Sequence, residues 1–167
     1  MSPTYRDIEE VGRITIGTVG EVGSRVFLLQ VRAADELVTL KLEKQQVSAL
    51  SEFLGQMLRD LARPGHLPED LDLEAFSDPD WVIGTIGIHY DQPQDKILLL
   101  IEEMTAEQGE VGSALRVMCS REQAAALSIH GAELVASGRP PCPICGFPLD
   151  QRGHNCPRTN GHVPPLT

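Results

Sequence analysis

Along residues 13–137 the spacing of apolar positions switches from period two to helical period, then repeats that switch. Arg13–Thr18 alternates, with Ile14 and Ile16 on one side, and predicts a strand. Gly20 and Gly23 mark a turn, after which Arg25–Arg32 is a strongly apolar second strand carrying Val26, Phe27, Leu28, Leu29 and Val31. Ala33–Glu36 reads as a hairpin loop, and Leu37–Leu42 alternates again with Val38, Leu40 and Leu42 on one face. Over Glu43–Ala62 the period lengthens. Val47, Leu50, Leu54, Met57, Leu58 and Leu61 fall at helical spacing, and Pro64-Gly65 ends the helix. Arg63–Asp80, with three prolines and six acids, is expected to be a solvated connector with a helical turn around Leu73–Phe76. The pattern then restarts: strand Trp81–Gly87, turn Asp91–Asp95, strand Lys96–Glu102, polar loop Thr105–Gly112 and strand Ala114–Cys119. A second helix, Ser120–Ser137, opens with the Ser-to-Gln spacing of a capping box at Ser120 and Gln123. Residues 1–12 are polar and expected to be a loosely held lead-in.

The restart has local identity as well as common order. Ile16-Gly17-Thr18-Val19-Gly20 resembles Ile83-Gly84-Thr85-Ile86-Gly87, and Lys44–Leu50 resembles Arg121–Leu127 at a slightly longer offset. The longer loops of the second half absorb the difference. Each half reads strand–strand–strand–helix. The expected fold class is therefore α+β, a duplicated βββα unit in which antiparallel strands bury one face against two helices. Chance is the rival reading, because short apolar–glycine strings recur easily.

The 167 residues suit one ordinary domain with a small appendage, and a hydrophobic fraction of 41% is enough for a real core. We divide the chain into an α+β domain over 1–138 (halves at about 13–62 and 81–137, joined by 63–80) and a tail over 139–167. No apolar run approaches the ~18 residues of a membrane span, and MSPTYRDIEE lacks a signal-peptide layout. A cytoplasmic protein is expected, in which clustered cysteines serve as metal ligands rather than disulfides. The formal charge is −10; the tail has three arginines against one aspartate, so residues 1–138 carry −12. That surface repels phosphate backbones, which disfavours nucleic acid as a partner.

The chemistry concentrates in the tail, RPPCPICGFPLDQRGHNCPRTNGH, residues 139–162. Cys142 and Cys145 stand at the spacing that lets two thiolates converge on one ion, and His154 and Cys156 follow within a fold-back distance. Thiolates plus imidazole in a tetrahedral set favour zinc, giving a ribbon- or knuckle-like metal site. The His154-x-Cys156 pair has one intervening residue where structural sites ordinarily have two, which leaves His162 as the reserve fourth ligand. Four protein ligands would close the site and make the zinc structural, with metal binding folding the tail. Three would leave a position open for catalysis. Cysteines merely packed without metal are the remaining reading.

Outside the tail the signals are bland. Cys119 takes the place of Leu42 on the repeat, an inward core position. His130 takes the place of Phe53 and reads as a core or boundary residue; His66 and His89 read as solvent-facing. Glu102-Glu103 should point to opposite faces, a poor acid/base couple. The glycines of Ile16–Gly20 and Ile83–Gly87 do not open a helix, so they form no phosphate cradle.

The tail, together with IGTVGEVGSRVFLLQ and LEKQQVSAL, resembles an uncharacterised, mainly actinobacterial family, domain of unknown function 3090. The resemblance spans nearly the whole chain. Its signature includes the Gly-His-x-Cys-Pro-Arg segment, which implies ligand roles for Cys142, Cys145, His154 and Cys156 and leaves His162 outside. It implies no activity or substrate. The expected function is a non-catalytic adaptor that docks a protein partner through a zinc-folded tail. The alternative is a metal-dependent enzyme, with an open zinc site or a pocket between the two halves. Nucleic-acid binding by the tail ranks last on charge.

Overall fold

Apolar alternation and β-branched content set the strands, and capping sets where each helix begins. In this computed structural model, residues 2–21, 23–74 and 78–137 are described. Strands β1 (Tyr5–Ile8), β2 (Arg13–Val19), β3 (Val26–Ala33) and β4 (Glu36–Leu42) precede helix α1 (Lys44–Arg59). Strands β5 (Trp81–Asp91), β6 (Lys96–Glu103) and β7 (Ala114–Cys119) precede helix α2 (Arg121–Ser137). The fold is α+β. The described strands form one seven-stranded sheet ordered β1-β7-β6-β5-β4-β3-β2. Pairing is antiparallel within β2-β3-β4 and β5-β6-β7, and parallel where β4 meets β5 and where β7 meets β1.

The lead-in is a correction. Tyr5–Ile8 is not loosely held; it pairs with Ala114–Val117 and buries Ile8. Four residues carry too weak a period to be read as a strand alone, and the edge of β7 supplies what they lack. β1 also reveals the shape of the sheet. In a flat sheet its six inter-strand steps would put β1 and β2 roughly 29 Å apart. The five residues from Ile8 to Arg13 span roughly 17 Å at most. The sheet must therefore curl, and the ion pair of Arg6 on β1 with Glu36 on β4, 3.0 Å, closes across that curl.

The concave side holds the core. Ile14 and Ile16 of β2 join Leu29 and Val31, Val38, Leu40 and Leu42, then Ile97, Leu99 and Ile101 with Leu115, Val117 and Cys119. Val47, Leu50 and Leu54 of α1 and Ala124 and Leu127 of α2 complete one cluster. The two helices pack on each other, and α2 touches β2 near one edge of the sheet and β6 and β7 near the other. Small residues permit the helix contact: a Cβ on Gly131 would collide with the Ser51 hydroxyl, and the Ser128 hydroxyl donates to the Ser51 carbonyl, 2.6 Å.

Both helix starts use the same device. Gln46 accepts from the Glu43 amide at 2.7 Å, and Gln123 accepts from the Ser120 amide at 2.9 Å. The Ser120 hydroxyl takes the Gln123 amide in return, 3.0 Å, so the capping box read from the sequence is present. The sheet register differs from the string match between the halves. Phe27 faces Leu42 and Ile97 faces Cys119, which makes Leu29 and Leu99 counterparts. Ile16 faces Leu29, and Ile88 faces Leu99, so the place of Ile16 is taken by Ile88 rather than Ile83.

The acidic connector keeps its six acids exposed, as expected, and is also a strap laid across the convex face of β2-β3-β4. Leu73 sits on Gly17, where a Cβ would fall 2.7 Å from Leu73 Cδ1. The Thr15 hydroxyl donates to the Leu71 carbonyl, and Arg13 holds Asp70 at 3.1 Å and the Asp72 carbonyl. The Glu74 amide donates to Gln30 Oε1 at 2.9 Å while its carboxylate pairs with Arg32 at 3.0 Å. Asp80 then accepts from the Thr39 amide at 3.0 Å. The strap's acids meet arginines of the sheet, which composition alone does not reveal. The described part of the expected turn, Leu73 and Glu74, is not helical.

Candidate functional site

The expected ligands Cys142, Cys145, His154 and Cys156, and the reserve His162, lie outside the described residues. Among the described residues no group of three His, Cys, Asp or Glu side chains is placed to hold a metal. What the structure fixes is the platform from which the tail departs: α2 ends at Ser137, whose hydroxyl accepts from Arg25 at 3.5 Å.

Each remaining candidate has a definite place. Cys119 is fully buried at the end of β7, and desolvation pushes its thiol up to about 12, with Lys96 pulling weakly the other way. A thiolate is disfavoured there, so Cys119 is a core residue and no nucleophile. His130 is half-buried on α2. His66 is exposed, 3.5 Å from Glu69 in the strap, and His89 is exposed on β5. Glu102 and Glu103 do different work. Glu102 accepts from Thr85 Oγ1 at 3.3 Å, whereas Glu103 accepts the Ser113 amide at 2.6 Å and fixes the β6–β7 loop.

Sequence reasoning missed the groups that join the halves. Gln46 Nε2 donates to the carbonyls of Ile83, 3.1 Å, and Gly84, 3.3 Å. Gln123 Nε2 donates to the carbonyl of Val11 at 2.9 Å. Each glutamine caps its own helix and clamps the chain entering or within the first long strand of the other half. The signal was a Gln at the third helical position in both helices. Around the start of α2, Asp95 lies 3.0 Å from Arg121 and accepts from the Tyr90 hydroxyl at 2.6 Å. The Tyr90 hydrogen bond, with help from Arg121, holds the Asp95 carboxyl below its ordinary range. Arg121 also reaches the Ala62 and Arg63 carbonyls at the start of the strap.

Two hollows adjoin α1. One of about 240 Å³ lies between the helices, lined by Ser48, Ser51, Glu52, Ala132 and Val135. The buried Ser51 hydroxyl has no hydrogen-bond partner among the described residues. The other, about 150 Å³, lies between α1 and β5, against Leu50, Phe53, Ile86 and Ile88. Among the described residues Glu52 is the one ionisable side chain lining either hollow, in the same hollow as Ser48 and Ser51.

A curled α+β sheet with two helices on its inner side, followed by a segment rich in metal-ligating residue types, defines the class. The family described as "Protein of unknown function (DUF3090)" has a model that matches residues 6–156, and the chain belongs to that family. No curated protein and no solved structure matches the chain. No described helix is long and apolar enough to cross a membrane.

Proposed function

We propose that the chain is a non-catalytic zinc protein of the reducing cytosol, in which a duplicated βββα body carries a zinc-folded tail that docks a protein partner. The observation that carries this reading is the reach of the family match. It extends through Cys156, so it encloses Cys142, Cys145, His154 and Cys156, and it stops short of His162. A set of three thiolates and one imidazole is the chemistry of a closed tetrahedral zinc site.

The duplicated body is supported by the paired elements. The order strand–strand–strand–helix occurs twice, and the first long strand is entered in parallel pairing both times, β1 on β7 and β5 on β4. Gln46 and Gln123, at matching places in the two helices, make the same cap and the same clamp on the opposite half. The strongly acidic surface of residues 1–138 favours a protein partner with basic character over nucleic acid.

Elemental analysis with zinc-edge absorption on the full chain tests the metal. One zinc per chain with three sulfurs and one nitrogen is expected. A bound oxygen beside fewer protein ligands would overturn the closed site. It would favour the second reading, an enzyme, to which the hollow between the helices and the Ser51 hydroxyl beside it lend some support. Partner recovery with Cys142→Ala/Cys145→Ala tests docking: recovery equal to that of the native chain removes the tail from the interface.

A further inference from the structure

The face beneath the strap is built from polar and basic groups. Alternation puts Arg13, Thr15 and Gly17 of β2 on the convex side, with Leu28, Gln30 and Arg32 of β3 and Thr39 and Lys41 of β4. Those positions hold three cations and no acid. Arg13 and Arg32 are direct cross-strand partners. Like charges set opposite each other destabilise a sheet, so this pair favours an anionic neighbour. Thr15, Gln30 and Thr39 are buried there and need polar company.

The strap supplies both through Asp70-Leu71-Asp72-Leu73-Glu74. Arg13 donates to the Asp70 carboxylate and to the Asp70 carbonyl, each at 3.1 Å, and to the Asp72 carbonyl. The Thr15 hydroxyl donates to the Leu71 carbonyl, and Leu73 lies on Gly17. Gln30 donates to the Thr39 hydroxyl at 3.3 Å and accepts the Glu74 amide at 2.9 Å. Arg32 Nε donates to both Glu74 carboxylate oxygens, at 3.0 and 3.2 Å. The face therefore reads main-chain groups, an acid, a leucine three residues on, and a second acid beside that leucine. Arginine recognition of an acidic motif works in this way.

The hold is light. Residues 70–74 take no part in the ladders of β2, β3 and β4. Asp70, Asp72 and Glu74 are exposed, and ion pairs open to solvent contribute little. A segment tethered at both ends stays at high local concentration, so weak contacts suffice to seat it.

We infer that the convex face of β2-β3-β4 is a docking surface for an acidic peptide of a partner protein, with the pattern acid-x-x-Leu-acid, and that residues 70–74 occupy it in cis. The partner peptide displaces the strap and takes over its contacts with Arg13, Gly17, Gln30 and Arg32. This surface is separate from the tail, and the inference needs neither zinc nor paired halves.

Fluorescence anisotropy tests this with a labelled peptide of residues 68–74, PEDLDLE, added to the full chain. Leu73→Ala/Glu74→Gln loosens the strap and leaves the face itself intact. We expect the peptide to bind this variant about tenfold or more tighter than it binds the native chain. Arg32→Gln in the same variant, or alanine for the second leucine of the peptide, should each weaken binding about tenfold. No binding, equal affinity for native and loosened chains, or affinity indifferent to Arg32→Gln overturns the proposal. If the loosened chain loses its far-ultraviolet circular dichroism, hydrogen exchange of the Glu74 amide in the native chain decides. Excess PEDLDLE should quicken that exchange and the alanine peptide should not. Exchange that does not distinguish the two peptides overturns the proposal.

Discussion

Gly17→Ala tests how the strap is held. The added Cβ would fall 2.7 and 2.8 Å from Leu73 Cδ1 and Cδ2 and closer still to Cγ, so moving one methyl does not relieve the overlap. Overpacking of this kind destabilises by about 1–3 kcal/mol. Alanine returns about 0.5–1 kcal/mol through lower backbone entropy in the unfolded chain. A net loss of about 1–2 kcal/mol is expected, read as a lower urea midpoint at unchanged m. Leu73 is half-buried, so Leu73→Ala alone should cost about 1–2 kcal/mol of burial. The double variant should fall short of the summed losses by about 1 kcal/mol, since the shortened side chain makes room for the new methyl. Displacing the strap also frees the Glu74 amide from Gln30, and its hydrogen exchange should quicken. Full stability in Gly17→Ala, or strict additivity in the double variant, refutes the seating of Leu73 on Gly17.

Gln46→Ala and Gln123→Ala each remove a cap and a clamp on a backbone carbonyl. Each should lower stability by about 1–2 kcal/mol, with similar size in both halves, by urea unfolding. Gly131→Ala should cost about 1–3 kcal/mol through collision with Ser51, and Ser51→Ala in the same chain should recover much of it. The unfolded chain ionises Cys119 above its ordinary 9.0, while the folded chain holds it neutral to about 12. Stability should therefore fall between those values by about 1.4 kcal/mol per pH unit, and Cys119→Ala should flatten that slope in pH-dependent unfolding. On the acid side, Asp95 and Glu74 are held below their ordinary range by Tyr90 with Arg121 and by Arg32. Their contribution is present above that range and lost as pH falls through the folded values, so Arg32→Gln should reduce acid sensitivity near the strap, read by exchange at Glu74. If the tail holds zinc as proposed, chelation should remove it and leave the far-ultraviolet circular dichroism of the body nearly unchanged, because the described core closes within residues 8–127.

Periodicity carried most of the elements. The alternation of Ile14 and Ile16 and of Val38, Leu40 and Leu42, the leucine spacing of α1, and the Ser120–Gln123 box are local patterns, and local patterns survive in a string of letters. The inward place of Cys119 followed from its match to Leu42 between the halves. The match of Ile16–Gly20 to Ile83–Gly87 misled on register, since a Gly-containing string says nothing about which residue faces which across a sheet. The candidate ligand set rests on spacing and residue type alone, since Cys142, Cys145, His154, Cys156 and His162 lie outside the described residues.

What the sequence by itself determined was the period of each element, the helix starts, the α+β class and the tail rich in Cys and His. All of these depend on residues close together along the chain. Only the tertiary structure decided that Tyr5–Ile8 is a strand, since its partner β7 lies near the other end of the body. Only it decided that the sheet curls until Arg6 meets Glu36, because curl is a sum over every inter-strand step. The acidic connector became a strap for the same reason. Its acids stay exposed, but folding sets Arg13 beside Asp70 and Arg32 beside Glu74 and lays Leu73 on Gly17.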